Sequence, residues 1–253
     1  MTERAVERDT GCLVYAVVRP ERGTLPSNGV DDEPLRLVVH GPVAAVVSTI
    51  ALERPPGRRG DLMAYSRVVD GLLADGVVVP VQFGSVLPDD QSVVEEFLAP
   101  DEGYFAELLD QLTGRSQFNV RATYQDDTAL AEIVADDPAV AELQARTRGR
   151  PEEAVFADKV RLGELVAAAM DEKRDFDANV LCDSIVPLTD AYQLTLGSGL
   201  EVVFDLSVLV DDDRRAEFEE RLEDLAEAVH ERLRLRLVGP VAPYDFVGDL
   251  SWA

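Results

Sequence analysis

Two apolar runs that are interrupted by proline and glycine constrain the fold of this chain most strongly. The first extends from Val77 to Val86 and contains Pro80 and Gly84, and the second, 239–246, contains two prolines. Proline cannot donate a backbone hydrogen bond to a central sheet ladder. Neither run is therefore expected to form an uninterrupted strand, and each taken alone predicts a strand that ends in a sharp turn.

Composition and charge limit the classes of protein to which this chain can belong. Its 253 residues suffice for one large domain or two of ordinary size, and the apolar share of 46% is typical of a folded protein. The formal net charge of −25 repels phosphate backbones and anionic lipid surfaces. The two basic patches, 54–59 and 232–236, are short and contain no aromatic residues, so nucleic-acid binding is not expected.

Neither a membrane span nor a disulfide framework is expected. The longest apolar stretches are interrupted by polar residues well before the roughly 20 residues that a membrane helix needs. The N-terminal residues are charged and precede a strand pattern, not the apolar core of a signal peptide. Cys12 and Cys182 both lie in apolar, strand-like surroundings, where a free cysteine packs as a small hydrophobic residue. A cytoplasmic location is therefore expected.

An N-terminal α+β domain is predicted for residues 1–115. Continuous apolar residues near the start indicate a buried central strand, and Gly41-Pro42 is a turn dipeptide that joins two further strands into a hairpin. Apolar residues at helical spacing then predict an amphipathic helix that packs on this sheet and ends at Gly76. The predicted elements are strands 12–18, 35–40, 43–49 and 77–82 and helices 61–74, 91–98 and 102–113.

A C-terminal domain is predicted for residues 116–253. Apolar and polar residues alternate strictly from Phe118 to Gln125, which indicates a strand with one buried face. The order strand, helices, strand, strand, helix, strand is that of a ferredoxin-like antiparallel sandwich, so the whole chain is predicted to be an α+β protein of two domains. The predicted elements after the first strand are helices 127–148 (broken at Pro138), 152–173 and 213–232 and strands 181–187, 191–196, 201–210 and 233–238.

The sequence contains no recognisable catalytic, cofactor-binding or metal-binding motif, and no such residue is predicted. Five acidic clusters could supply oxygen ligands to magnesium or calcium. Four of them precede a predicted helix, where a carboxylate caps backbone amides, so capping is the preferred interpretation. His40 and His230 are too few for a three-histidine zinc site. The clusters are 31–33, 89–90, 126–127, 136–137 and 211–213.

The two interrupted runs are the candidate functional segments. In the first, proline ends ladder pairing, Phe83 fills core space and Gly84 supplies a backbone angle that other residues resist, which is a structural interpretation. The second follows the last predicted strand near the terminus, where a chain frays unless it is docked. Tyr244 and Phe246 are candidate anchors, either inside the protein, which is the favoured interpretation, or on a partner.

Together with the opening strand Leu13–Val18, the two runs resemble the gas vesicle protein F/L family (GvpF/GvpL). Its members combine a tyrosine-containing first strand, a Pro-x-x-Phe-Gly segment and a terminal Gly-Pro-x-x-Pro-Tyr-x-Phe signature, and their order and spacing match over nearly the whole chain. Ala242 stands where a proline is expected. From the resemblance, the candidate partner-binding residues are Pro80, Phe83, Gly84, Gly239, Pro240, Pro243, Tyr244 and Phe246.

The resemblance implies a cytoplasmic accessory or minor structural protein of gas vesicles, the gas-filled protein organelles that give some prokaryotes buoyancy. The implied partners are the small hydrophobic major shell protein and other gas vesicle accessory proteins, and no enzyme activity or cofactor is implied. An exposed apolar or strand-edge surface would engage shell subunits. The alternative is a ferredoxin-like small-molecule-binding regulatory module, or an enzyme without a recognisable motif.

Overall fold

The computed structural model describes residues 9–26 and 28–248, which form two compact units. Unit 1 runs to Ser116 and resumes at Pro240, and unit 2 runs from Gln117 to Gly239. These units differ from the predicted domains, 1–115 and 116–253, in the place of the C-terminal segment, which packs in unit 1.

Unit 1 contains an antiparallel sheet built around its first strand. The strand order is β2-β3-β1-β4, and β5 also pairs with β1. The β2–β3 pair is the predicted hairpin, with His40 opposite Val43. The shift of the β1–β3 pairing between Val14 and Ala16 is a bulge at Tyr15. The strands are β1 (Thr10–Val18), β2 (Arg36–His40), β3 (Val43–Ala51), β4 (Val79–Pro80) and β5 (Val86–Leu87).

The helices of unit 1 are α1 (Arg59–Ala74), α2 (Asp90–Ser92) and α3 (Glu102–Leu112), and a π-helical segment, Val93–Leu98, continues from α2. The Asp61 carboxylate accepts from the backbone N–H groups of Arg58 (3.0 Å) and Gly57 (3.2 Å), which fixes the start of α1. These hydrogen bonds hold the pKa of Asp61 below its ordinary value. The buried face of α1 is Tyr65, Val68, Val69 and Leu72.

Unit 2 contains the second sheet, with the strand order β7-β8-β6-β9. The predicted alternation holds in β6, where Phe118, Val120, Ala122 and Tyr124 are buried. The strand predicted at 191–196 is confirmed as β7, which pairs antiparallel with β8. The strands are β6 (Arg115–Tyr124), β7 (Ala191–Leu196), β8 (Val202–Asp211) and β9 (Leu233–Val241).

Four helices complete unit 2: α4 (Thr128–Asp136), α5 (Pro138–Thr147), α6 (Glu152–Ile185) and α7 (Arg215–Val229). Pro138 is the first residue of α5, where its missing N–H costs nothing. Phe118 of β6 contacts Phe218 of α7, with ring centroids 5.4 Å apart, and the Arg215 guanidinium lies 5.4 Å from the Phe118 centroid. Helices and strands thus share one hydrophobic core.

The strand predicted at 181–187 is wrong, because α6 continues to Ile185 and is followed by a 3-10 turn, Val186–Leu188. Ala178, Leu181 and Ile185 are all buried at helical spacing, so packing on the core overrides the local strand preference. Cys182 therefore lies in a helix and not in strand-like surroundings. No helix among the described residues is long and apolar enough to cross a bilayer.

Candidate functional site

The segment Pro80–Gly84 crosses the edge of the first sheet and turns back onto it. Pro80 lies opposite Ala16 of β1, and the Val81 N–H donates to the Tyr15 carbonyl oxygen at 3.0 Å. Gly84 has a φ of +96°, a backbone conformation that favours glycine, and the chain then returns to β1 as β5. The prediction that this run is not an uninterrupted strand is confirmed, and the strand predicted at 77–82 is reduced to the residues of β4.

An aromatic cluster, defined as Tyr15, Tyr65 and Phe83, lies where this segment meets α1. The Tyr65 ring stacks on Tyr15 with centroids 4.9 Å apart, and Phe83 meets Tyr65 edge-on at 5.1 Å. The Tyr65 hydroxyl donates to the carbonyl oxygens of Tyr15 (2.9 Å) and Val81. Burial is the main cause that raises the pKa of the Tyr65 hydroxyl, which therefore stays protonated.

The hydroxyl of Tyr15 is enclosed by polar partners. It accepts a hydrogen bond from the Val30 N–H at 2.8 Å and lies 2.9 Å from the Ser48 Oγ. The pKa of Tyr15 is raised, first of all by burial. Both buried tyrosines thus act as hydrogen-bonding core residues, which is a structural use and not an acid–base one.

The C-terminal segment, defined as residues 240–248, docks on the aromatic cluster. Ala242, Pro243 and Val247 are buried, and Ala242 belongs to the hydrophobic core that contains Tyr15 and Tyr65. The Tyr104 hydroxyl donates to the Val247 carbonyl oxygen at 2.6 Å. The segment is thus anchored in unit 1 by Ala242, Pro243 and Val247, whereas the predicted anchors Tyr244 and Phe246 are exposed and half-buried.

Tyr244 is the member of the C-terminal segment that reaches the aromatic cluster and also faces solvent. Its side chain is 44% exposed, and its hydroxyl interacts electrostatically with the Tyr65 hydroxyl. Partial burial, and then the negative charge of Asp70, raise the pKa of Tyr244 to about 12. Phe83 and Tyr244, from the two interrupted runs, therefore meet the same residue, Tyr65.

The remaining candidate residues lie in different environments. Gly239 is in β9, and a Cβ there would lie 2.4 Å from Phe118 Cδ1, so the position requires glycine. Pro240 is exposed, Phe246 is half-buried, and Pro80 and Pro243 are buried. A partner that binds the folded protein can thus contact Tyr244 and Pro240 directly, whereas the two buried prolines shape the fold.

A cleft of about 340 Å³ lies beside Gly84. Its polar side chains are Ser85 and Glu96, and the Ser85 Oγ already donates to the Gln82 carbonyl oxygen at 2.9 Å. A small-molecule site needs several convergent polar groups, which this cleft does not supply. Its lining is Val14, Gly84, Ser85, Val86, Leu87, Pro88, Glu96 and Phe97.

The thiol of Cys12 is unsuited to nucleophilic chemistry. Its Sγ donates to Asp90 Oδ1 at 3.1 Å and lies 3.1 Å from an Arg36 guanidinium nitrogen. Burial, followed by the hydrogen bond to Asp90, raises the pKa of the Cys12 thiol to about 11. The reactive thiolate is therefore scarce at neutral pH.

Three of the acidic clusters cap turns or helices, as the sequence predicts. Asp89 accepts from the Ser92 N–H (2.7 Å), Asp137 accepts from the Ala139 N–H (2.8 Å), and Asp211 accepts from the Asp213 N–H (2.8 Å). Asp127 precedes α4 without a side-chain cap, and Asp31 and Asp32 instead adopt positive φ angles. Among the described residues, no group of three or more His, Cys, Asp or Glu side chains could hold a metal ion.

Sequence reasoning missed an ionic network in unit 2. The Asp177 carboxylate on α6 is buried, accepts from the Tyr124 hydroxyl at 3.0 Å and lies 3.2 Å from an Arg232 nitrogen. Arg232 also donates to both oxygens of Glu132 (2.6 and 3.0 Å), and Lys173 pairs with Glu132 as well. The sequence did contain one signal of this network, because Asp177 is a charged residue next to Ala178, on the side of α6 that carries apolar residues. These groups are mutually neutralised, which favours a structural role.

The fold defines an α+β protein with two compact units, and in unit 1 the docked C-terminal segment leaves Tyr244 partly exposed. A family model described as "Gas vesicle synthesis protein GvpL/GvpF" matches residues 11–248. The chain therefore belongs to the GvpL/GvpF family of gas vesicle proteins, and the resemblance seen in the sequence is confirmed.

Relatives and solved structures agree with this assignment. The chain is 32% identical over 238 residues to gas vesicle protein F of Streptomyces sp. (strain CB03234), a match that covers 92% of this chain and 98% of the relative. The crystal structure of GvpF from Anabaena sp. PCC7120 superposes with a TM-score of 0.80 at 18% identity, covering 96% of this chain and 100% of that one. GvpF from Microcystis aeruginosa gives 0.76 at 19% identity, with 94% and 98% covered. Both structures share the α+β fold of this chain.

Proposed function

We propose that this chain is an accessory or minor structural protein of gas vesicles that binds the major shell protein and supports vesicle assembly. The observation that carries the proposal is the family match across residues 11–248. The proposed location is the cytoplasm, on the gas vesicle, and the proposed partners include other gas vesicle accessory proteins.

A binding role without catalysis is also proposed. The Cys12 thiol is held protonated, the buried carboxylate Asp177 is paired with Arg232, and the cleft beside Gly84 presents few polar groups. The net charge of −25 would keep a complex with a hydrophobic shell protein in solution. Exposed apolar side chains in so acidic a chain are suited to contact a hydrophobic partner.

The domain assignment belongs to the same proposal: an N-terminal domain of residues 1–115 and a ferredoxin-like domain from residue 116. The ferredoxin-like assignment is supported by the order of elements in unit 2, which is strand, helices, strand, strand, helix, strand. It is further supported by the sheet order β7-β8-β6-β9, in which the two central strands are the first and third of the unit. Helices that pack on such a sheet leave its edge strands available to partners.

The proposal is tested by the binding of this purified protein to detergent-solubilised major shell protein, measured by biolayer interferometry. An unrelated acidic α+β protein serves as the control for charge. Saturable binding by this protein, without binding by the control protein, supports the proposal. No binding by this protein at high micromolar concentration would overturn it. A thermal-shift screen with metabolites would then test the small-molecule alternative.

The C-terminal segment is proposed as part of the binding surface through its exposed residues, Pro240 and Tyr244. Truncation after Gly239 is unsuitable as a test, because it removes the buried residues Ala242 and Val247 from the core of unit 1. The double variant Pro240→Ser/Tyr244→Ser keeps those residues. Weaker shell binding by this variant supports a role of the segment, and unchanged binding places the contact elsewhere.

A further inference from the structure

Strand β7 forms one edge of the sheet of unit 2 and exposes a row of apolar side chains. Within the described residues, its neighbour in the sheet is β8 alone. Tyr192, Leu194 and Leu196 lie opposite Val208, Leu206 and Phe204, so the two rows share a face of the sheet. The β8 row is buried, whereas the β7 residues are 50%, 38% and 47% exposed. The apolar face therefore continues beyond the part that the core covers.

The same three residues carry the backbone groups that point away from the sheet. The Gly197 N–H donates to the Val203 carbonyl oxygen at 2.8 Å, which identifies this pair as a hydrogen-bonded one. Because bonded and non-bonded pairs alternate in an antiparallel ladder, the pairs made by Tyr192, Leu194 and Leu196 are non-bonded. Their N–H and C=O groups face outward, as an added strand requires.

The two edge strands of this sheet differ in whether charged side chains protect them from the addition of another strand. Strand β9, at the opposite edge, carries the exposed residues Arg234 and Arg236, and charged residues of this kind oppose strand addition. Strand β7 has the sequence Ala-Tyr-Gln-Leu-Thr-Leu and contains no charge.

The hairpin that contains β7 is held in place before any partner binds. The buried Arg174 guanidinium of α6 donates to the carbonyl oxygens of Gly199 (2.6 Å), in the β7–β8 turn, and Val202 (3.2 Å), the first residue of β8. These charge-assisted hydrogen bonds fix the end of the strand. A preorganised edge binds with a smaller loss of conformational entropy than a mobile one.

We propose that β7 is the docking strand for the partner, and that an extended segment of the major shell protein adds to its outer edge. Charge disfavours a second copy of the chain as the occupant, because two bodies of net charge −25 would repel each other, and the exposed apolar row favours a hydrophobic partner such as the shell protein proposed above. The partner segment would carry apolar residues at alternate positions, to cover Tyr192, Leu194 and Leu196. This inference rests on the function proposed above.

Two substitutions at Leu194 separate backbone pairing from side-chain contact. Leu194→Pro removes the outward N–H but leaves the ladder to β8 intact, because that N–H does not bond to β8. Leu194→Thr keeps the N–H and removes the apolar side chain. The control Phe156→Gln removes a more exposed apolar side chain, 65% exposed, from α6. Circular dichroism and thermal unfolding establish that each variant is folded.

Binding to detergent-solubilised major shell protein is the measurement, with hydrogen exchange of the segment 189–199 as a second readout. We expect Leu194→Pro to weaken binding by at least about tenfold, Leu194→Thr by about threefold, and Phe156→Gln by less than about twofold, since backbone pairing and apolar contact both contribute. In the wild-type complex, the amides of 189–199 should become protected.

The outcomes distinguish this inference from the function on which it rests. If the wild-type protein binds and Leu194→Pro binds equally well, the assignment of β7 is wrong and the shell-binding function stands. If the wild-type protein does not bind, both are wrong. If sedimentation shows a dimer of the wild-type protein that Leu194→Pro dissociates, a second copy occupies the edge and the assignment of the shell protein is overturned.

Discussion

At the scale of single residues, the Tyr65 hydroxyl connects α1 to β1 and to Val81, the residue that follows β4. It donates to the Tyr15 and Val81 carbonyl oxygens, neither of which water can reach easily because their surroundings are buried. Tyr65→Phe should therefore lower the free energy of unfolding by about 1–3 kcal/mol, measured by urea denaturation. The same change at the exposed Tyr192 should cost less than about 0.5 kcal/mol. Equal effects of the two substitutions would show that the buried hydrogen bonds contribute nothing.

The ionisation of Tyr244 reports on the docking of the C-terminal segment. Its pKa is raised to about 12 in the folded protein from an ordinary value of 10.0. The absorbance titration of wild-type protein minus that of Tyr244→Phe should have its midpoint at pH about 12. A midpoint near pH 10 would mean that Tyr244 is not docked on Tyr65.

The raised pKa of Tyr244 also makes the stability of the folded protein depend on pH. Because the folded protein holds the Tyr244 proton more tightly than the unfolded chain does, its contribution is fully present below the unfolded pKa of about 10. The contribution is lost as the pH rises through the folded value of about 12. Tyr244→Phe should consequently unfold with a shallower dependence on pH over this interval than wild-type protein.

At the scale of elements, Asp137 tests whether the acidic clusters stabilise helices. Its carboxylate accepts from two backbone N–H groups at the start of α5, whereas Asp127 makes no side-chain cap on α4. Asp137→Ala should lower the free energy of unfolding by about 1 kcal/mol, and Asp127→Ala by only a few tenths. Urea denaturation of the two variants makes the comparison. A larger loss for Asp127→Ala would assign the acidic clusters a different role.

Glu132 tests the ionic network that connects α4 to α6 and to Arg232, the residue that precedes β9. Its hydrogen bonds from Arg232 and Lys173 lower its pKa below the ordinary value of 4.5. Its contribution to stability is therefore fully present above pH about 4.5 and is lost as the pH falls through the lowered folded-state pKa. Glu132→Gln should be less stable than wild type by about 1–3 kcal/mol at neutral pH, and this difference should narrow in acid.

A control variant separates the effect of breaking the network from the effect of removing one negative charge from the chain. Glu142→Gln removes the same charge from an exposed position on α5 and should change the free energy of unfolding by less than about 0.5 kcal/mol. Denaturant unfolding of both variants at neutral and acid pH provides the comparison. Identical behaviour of the two variants would contradict a stabilising role for the network.

Local turn chemistry and periodicity predicted most elements, and tertiary packing decided the rest. The β2–β3 hairpin was predictable because Gly41-Pro42 marks its turn, and α1 because its apolar spacing is helical. The end of α6 was not predictable locally, since the apolar run around Leu181 is compatible with either a strand or a buried helix. Only its contact with the core of unit 2 selects the helix.

Individual residues of the candidate site could be predicted from the sequence, but their contacts with one another could not. The sequence singled out Phe83 and Tyr244 through the proline and glycine that surround them. That both meet Tyr65 depends on the pairing of distant segments, which no local pattern encodes. The uncharged edge of β7 escaped notice for a related reason, because an alternating strand does not reveal whether it lies at the centre or the edge of a sheet.

At the scale of the whole molecule, net charge should dominate the response to salt. Exposed ion pairs contribute little to stability, so repulsion within a chain of net charge −25 should exceed their attraction at low ionic strength. Salt at about 0.1 M reduces the screening length to about 10 Å. Thermal unfolding should therefore shift upward with added NaCl, by about 2–4 °C for each kcal/mol of repulsion that is screened.

A charge-reduced variant identifies repulsion as the cause of this shift. The triple substitution Glu220→Gln/Glu223→Gln/Asp224→Asn neutralises three exposed acidic residues of α7. It should reduce the dependence of the unfolding temperature on salt. If the unfolding temperature of the wild-type protein instead falls as NaCl is added, attraction between ion pairs outweighs repulsion. In that case the negative charge would not oppose close contact between two copies of the chain, and the choice of a hydrophobic partner over a second copy at β7 would lose its electrostatic basis.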